Sequence, residues 1–170
     1  MRRIITLAFL LFTMNAIGQN MNQKIEDPFR KKRIMINTCT RQALVSSPDI
    51  KLHYETEYPA YQVDSTAIQQ LKPLIAGKKI TIILGTWCGD SQLQLPRFLK
   101  ILDLLKVQEK ALQFICVDGQ KKAEPGLIER FNITRVPTFI ILDENDEIGR
   151  ITESPTTSLE EDLLSILQQK

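Results

Sequence analysis

One cysteine among the chain's three stands where chemistry is possible, in Trp87-Cys88-Gly89-Asp90-Ser91. It follows the β-branched run Ile80 to Leu84 and precedes Leu95, Phe98, Leu99, Leu102 and Leu105, which share a helical face at spacings of three and four. A cysteine at such a strand-to-helix corner meets free backbone N–H groups and the positive end of a helix dipole, which stabilise a thiolate. The thiolate is the species that attacks disulfides, so the chemistry indicated is thiol–disulfide exchange. Asp90 opposes a second negative charge nearby, while Ser91 offers a hydroxyl that can donate to the thiolate. Val136-Pro137-Thr138, immediately before another apolar run, is a place where a cis proline turns the chain toward the cysteine.

The other candidates weigh less. Cys116 lies in the apolar run Leu112 to Val117 and reads as a core residue. Cys39 sits in the polar stretch Asn37-Thr38-Cys39-Thr40, where exposure would make it an accessory thiol, either resolving at a distance or pairing with another chain. His53 is the only histidine, in an irregular segment where solvent exposure is the default. With no cysteine pair at ligand spacing, no metal is expected, nor is any cofactor.

What must position these residues is one domain. The 170 residues are 43% hydrophobic and 25% charged, which excludes disorder as the main state. An odd cysteine count excludes a complete disulfide scaffold. The N-terminus reads as a secretory signal peptide over residues 1–18: Arg2 and Arg3, an apolar run from Ile4 to Met14, then Ala16-Ile17-Gly18. That run is too short to span a bilayer stably, so no membrane span is expected after cleavage. Its removal takes two of the 22 basic residues and none of the 20 acidic ones, leaving a formally neutral chain with no electrostatic claim on nucleic acid. Export to a periplasmic or extracellular compartment would permit disulfide chemistry.

Residues 19–63 carry no sustained period and are expected to form an extension that wraps or pairs with the domain edge. The basic run Arg30-Lys31-Lys32-Arg33 reads as a solvated face, and Tyr54, Tyr58 and Tyr61 as aromatic packing onto the domain. Over 64–170 the pattern is regular. Asp64-Ser65-Thr66 caps a helix ending near Ile75, followed by a strand at Ile80–Leu84 and a helix from about Cys88 that holds Pro96. A strand at Leu112–Val117, a short helix at Pro125–Phe131, strands at Thr138–Leu142 and Glu147–Thr152, and a helix capped by Ser158 with Glu161 complete the order. The implied architecture is α/β, a central mixed sheet with helices on both sides.

Trp87-Cys88 after a strand, Pro96 in the next helix, Val136-Pro137-Thr138 and this element order together resemble the thioredoxin family, over roughly Ser65 to Lys170. The resemblance implies a thioredoxin-like three-layer α/β/α sandwich with Cys88 as nucleophile. It further implies a cis Pro137 beside that cysteine, Val136 as backbone partner of bound polypeptide, and Trp87, Gly89 and Asp90 lining the substrate site. Ser91 departs from the pattern, standing where the family carries a second, resolving cysteine. The family's buried Asp and its Lys partner, which serve that second thiol, are matched here by Ile82 and Phe114.

A chain with Cys88 and no resolving thiol can form a mixed disulfide but needs an outside thiol to release it. The expected function is therefore monothiol exchange or isomerisation, with thiol- or disulfide-containing polypeptides or small thiols as partners. The alternative is a catalytically silent peptide-binding module on the same fold. A peroxide-reducing relative fits less well, because Gly85-Thr86-Trp87 precedes the thiol without a proline.

Overall fold

The computed structural model describes residues 21–169; the leader expected over 1–18 lies outside them. The chain opens with a hairpin of strands β1 (Gln23–Asp27) and β2 (Lys32–Cys39), then helices α1 (Arg41–Val45), α2 (Pro48–Ala60) and α3 (Ser65–Leu74). Strand β3 (Lys79–Leu84), helix α4 (Gly89–Leu104) and strand β4 (Leu112–Cys116) follow, then the hairpin β5 (Thr138–Asp143) and β6 (Asp146–Thr152) and helix α5 (Leu159–Gln168). The six strands form one sheet in the order β1-β2-β4-β3-β5-β6. Only β3 and β4 run parallel; the β1–β2, β2–β4, β3–β5 and β5–β6 pairs are antiparallel. The protein is a mixed α/β sandwich.

Local chemistry sets the helix starts. The Asp64 carboxylate accepts from the N–H groups of Thr66 and Ala67, and the Ser158 hydroxyl from that of Glu161, satisfying donors that the first turn leaves free. The central strands are apolar on both sides because both sides are covered. Ile80, Ile82 and Leu84 of β3 join Phe114, Cys116, Phe139 and Ile141 in one cluster, to which all five helices contribute buried residues. Ile83, Ile115, Ile140 and Leu142 form a second cluster with Ile128, Phe131 and Val136 from the connection between β4 and β5.

That connection differs from expectation. In place of a helix over Pro125–Phe131, only Glu129–Phe131 forms a 3-10 turn. Gly126 sits at φ 92° and Asn132 at φ 49°, both outside the helical region, so the segment turns at each end. The region before Val63 pairs with the sheet edge as expected, β2 joining beside β4, but it is more regular than its sequence pattern suggests, holding β1, β2, α1 and α2. His53 accordingly lies half-buried on α2 rather than exposed in an irregular segment. The three tyrosines pack as expected. Tyr54 and Tyr58 hold their rings 4.9 Å apart, while the Tyr58 hydroxyl donates to Asp103 at 2.6 Å and that of Tyr61 to Glu160 at 2.8 Å.

Candidate functional site

Cys88 is the N-cap residue of α4, directly after the loop Gly85-Thr86-Trp87 that leaves β3. Its own N–H donates to Gly85 O at 2.9 Å and its carbonyl accepts from Gln92 N at 3.0 Å, fixing the corner from both sides. The side chain makes no cap bond, so the first-turn N–H groups are not occupied by the thiol. Instead Sγ lies 3.3 Å from the carbonyl oxygen of Val136, to which the thiol donates. The Val136–Pro137 peptide bond is cis. Pro137 O accepts from Glu153 N at 2.7 Å, and Thr138 Oγ1 donates to Arg135 O at 2.8 Å, so the loop is held from two sides.

The structure thus brings Trp87, Cys88, Val136 and Pro137 together. Cys88 and Trp87 are half-buried, Gly89 and Asp90 exposed, Val136 and Pro137 buried. Ser91 is adjacent but used differently: it is fully buried, and its Oγ accepts from Gly85 N at 3.3 Å. The hydroxyl therefore closes the strand-to-helix turn, and the expected hydrogen bond to Cys88 is not among those formed. Ile82 and Phe114 are buried ladder partners in β3 and β4, filling with hydrocarbon the place matched to an ion pair.

Cys39 requires correction. It is 3% exposed, and its sulfur lies 3.2 Å from that of Cys116 rather than near Cys88. The strand period explains this: Cys39 ends β2 on the same side as Met35, facing the core, while polar Thr38 faces away. Cys116 is buried in the core as expected.

The residues that sequence reasoning missed come from the first hairpin. Asp27 is 1% exposed; its Oδ2 accepts from Gly119 N at 2.6 Å and its Oδ1 from Phe29 N at 2.8 Å. This carboxylate ties the hairpin tip to the loop after β4. Arg30, next along the tip, places its guanidinium 3.7 Å from the centroid of the Trp87 ring, a cation–π contact. The same indole donates from Nε1 to Val117 O at 3.0 Å. Trp87 is therefore clamped between a cation of the basic run and the end of β4, and that run is not wholly a solvated face. Gly85 completes the clamp, since a Cβ there would stand 2.5 Å from Trp87 Cε2. An Asp-Pro turn beside a basic run was the available signal, but no local pattern names the partner of a long-range contact.

Among the described residues, no group of three or more His, Cys, Asp or Glu could hold a metal. A cleft of about 560 Å³, lined by Lys72, Ile75, Gly77, Lys78, Lys106 and Val107, opens at the other end of β3 from Cys88.

The protein is thus an α/β sandwich in which a half-buried cysteine at a strand-to-helix turn faces a cis-proline loop. The chain shares its fold with a protein of unknown function, PA1234, from Pseudomonas aeruginosa, at 17% identity and a TM-score of 0.58 over 76% of this chain and 91% of that one. It likewise resembles an HIV epitope-scaffold, at 16% identity and a TM-score of 0.57 over 76% of this chain and 92% of the other. No family model and no curated protein matches the sequence.

Proposed function

We propose that the protein is an exported, thioredoxin-like thiol–disulfide exchange protein that acts through the single nucleophile Cys88. The observation that carries this reading is the meeting of Cys88 Sγ with Val136 O at 3.3 Å, at the start of α4 and next to cis Pro137. In that position the half-buried thiol is reachable from solvent, at the start of α4. A substrate disulfide reaches Cys88 over the exposed Gly89 and Asp90, beside the Val136 loop.

The step is a displacement at sulfur. The Cys88 thiolate attacks one sulfur of the substrate, the substrate's S–S bond breaks, and the second sulfur leaves as a thiolate that takes up a proton. Ser91 offers no sulfur to complete a second exchange, and its oxygen is engaged with Gly85 N. The mixed disulfide is then released by a thiol of the substrate, a small thiol or a partner, so isomerisation or removal of thiol adducts suits this site better than net dithiol reduction.

To test it, the purified protein is incubated with a polypeptide disulfide, quenched in acid, and resolved on a non-reducing gel with mass analysis. The expected product is a covalent adduct on Cys88, discharged by reduced glutathione and absent in Cys88→Ala. Absence of that adduct, together with ready adduct formation by Ser91→Cys, would favour a peptide-binding module with silent chemistry.

A further inference from the structure

The two cysteines that the proposed exchange site does not use lie against each other. Cys39 ends β2 and Cys116 ends β4, neighbours in the sheet whose register pairs Asn37 with Cys116 and Cys39 with Phe114. The two sulfurs are therefore diagonal neighbours on one face, 3.2 Å apart, and both are buried. A disulfide sulfur pair stands at about 2.05 Å, so closing the bond needs a movement of little more than about 1 Å, within side-chain rotation. We propose that Cys39 and Cys116 are a second redox site, a cross-strand pair that forms a disulfide joining the first hairpin to the central sheet, independently of Cys88.

Three features favour it. Among the described residues the pair has no competing partner sulfur at hand: Cys39 Sγ otherwise meets the carbonyl oxygens of Asn37 at 3.4 Å and Ile36 at 4.0 Å. The hydrogen bond with Cys116 outweighs burial and holds the Cys39 thiol below its ordinary value, whereas burial pushes the Cys116 thiol up, which makes Cys39 the attacking sulfur. Cys39 is also the last residue of its strand, before the exit to Thr40, so local opening of the hairpin exposes it before Cys116. The bond would close a loop between positions 77 residues apart and would lock the strand behind the hairpin tip that carries Asp27 and Arg30 against Trp87.

The oxidant is a low-molecular-weight disulfide. The Cys39 thiolate attacks oxidised glutathione and releases one glutathione thiolate. The Cys116 thiolate then attacks the Cys39 sulfur of the mixed disulfide and releases the second. Two protein thiols lose two electrons and two protons, and one oxidised glutathione becomes two reduced molecules.

The test is to reduce and unfold the protein, refold it in a glutathione redox buffer, confirm the folded state by circular dichroism, alkylate under denaturing conditions, and map peptides. A parallel sample is oxidised after folding. The expected result is a Cys39–Cys116 linked peptide with Cys88 outside the link, unchanged in Cys88→Ala. Folded protein in which Cys39 and Cys116 both alkylate after either treatment, or in which either is linked to Cys88, would overturn the assignment. Because Cys88→Ala lacks the exchange nucleophile, failure of the Cys88 reading leaves this result distinguishable.

Discussion

Gly85→Ala is the perturbation that most sharply probes how the site is built. The residue is not among those with positive φ, so alanine meets no backbone penalty, and its loss of chain freedom in the unfolded state would favour folding by about 0.4–1 kcal/mol. Contact decides the sign instead. The new methyl would stand 2.5 Å from Trp87 Cε2, 2.7 Å from Nε1 and 2.9 Å from Cζ2, where ordinary carbon contacts begin near about 3.5 Å. The indole cannot slide freely, because Nε1 is bonded to Val117 O and Arg30 lies across the ring. Moving it forfeits a hydrogen bond of about 1 kcal/mol and a cation–π contact of about 0.5–1 kcal/mol. Leaving it in place strains the loop by about 1–3 kcal/mol. By either route the net loss is roughly 1 kcal/mol once the unfolded-state gain is subtracted.

Trp87 is the only tryptophan, so its emission reports the clamp directly. Urea unfolding followed by that emission and by circular dichroism is expected to show a lower midpoint and a red-shifted native spectrum. In a Trp87→Ala background the clash disappears, and Gly85→Ala should cost little or slightly stabilise, giving a coupling of about 2 kcal/mol in the double-mutant cycle. Equal costs in both backgrounds would refute the reasoning, since the effect would then not pass through the indole.

Three further outcomes follow from other contacts in the fold. Asp27→Asn presents an amide where Gly119 N–H and Phe29 N–H both seek acceptors; a loss of about 1–3 kcal/mol is expected, with faster hydrogen exchange at the Gly119 amide, read by NMR. Burial acts to raise the Asp103 carboxyl, but Arg41 and Tyr58 together outweigh it and hold the group below its ordinary value. Its contribution is therefore complete above the unfolded value near about 4 and lost as pH falls through the folded one, and Asp103→Asn should flatten that acid limb of a stability–pH profile. At the alkaline end Tyr58, pushed up to about 12 by burial and then by Asp103, contributes stability that is lost as pH rises from about 10 through that value. Tyr58→Phe should remove that loss, as measured by urea midpoints between those limits.

The parts of the fold legible in the sequence were those whose neighbours are close in the chain or uniformly apolar. Ile80 to Leu84 and Thr138 to Leu142 read as strands because both sides of the sheet are covered there, leaving no polar alternation. Asp64 and Ser158 announced their helices because capping is a local bond. Helix α2 was illegible: Ile50 is its one fully buried residue and Pro59 lies inside it, so no apolar stripe marks it. Residues 125–131 misled in the opposite direction. Ile128 and Phe131, three apart and both buried, mimic a helical face, yet Gly126 at positive φ prevents the turn before them from forming. At the site, Cys88, Val136 and Pro137 were legible as motif residues, whereas Arg30 and Asp27 reach it only through the pairing of β2 with β4. Cys39 was misjudged because its polar neighbours say nothing of the opposite side of its strand.

Whether Cys88 is the nucleophile is decided by the reactivity of the three thiols toward a chromophoric aromatic disulfide, in the folded protein and in the urea-unfolded chain, with the modified cysteine identified by peptide mapping. Folded protein is expected to release one equivalent rapidly, through Cys88. The buried Cys39 and Cys116 should react only slowly in folded protein, through local opening of the hairpin, and Cys88→Ala should abolish the rapid phase. A Cys88 that stays unmodified while the protein is folded and reacts only once it is unfolded would contradict that role.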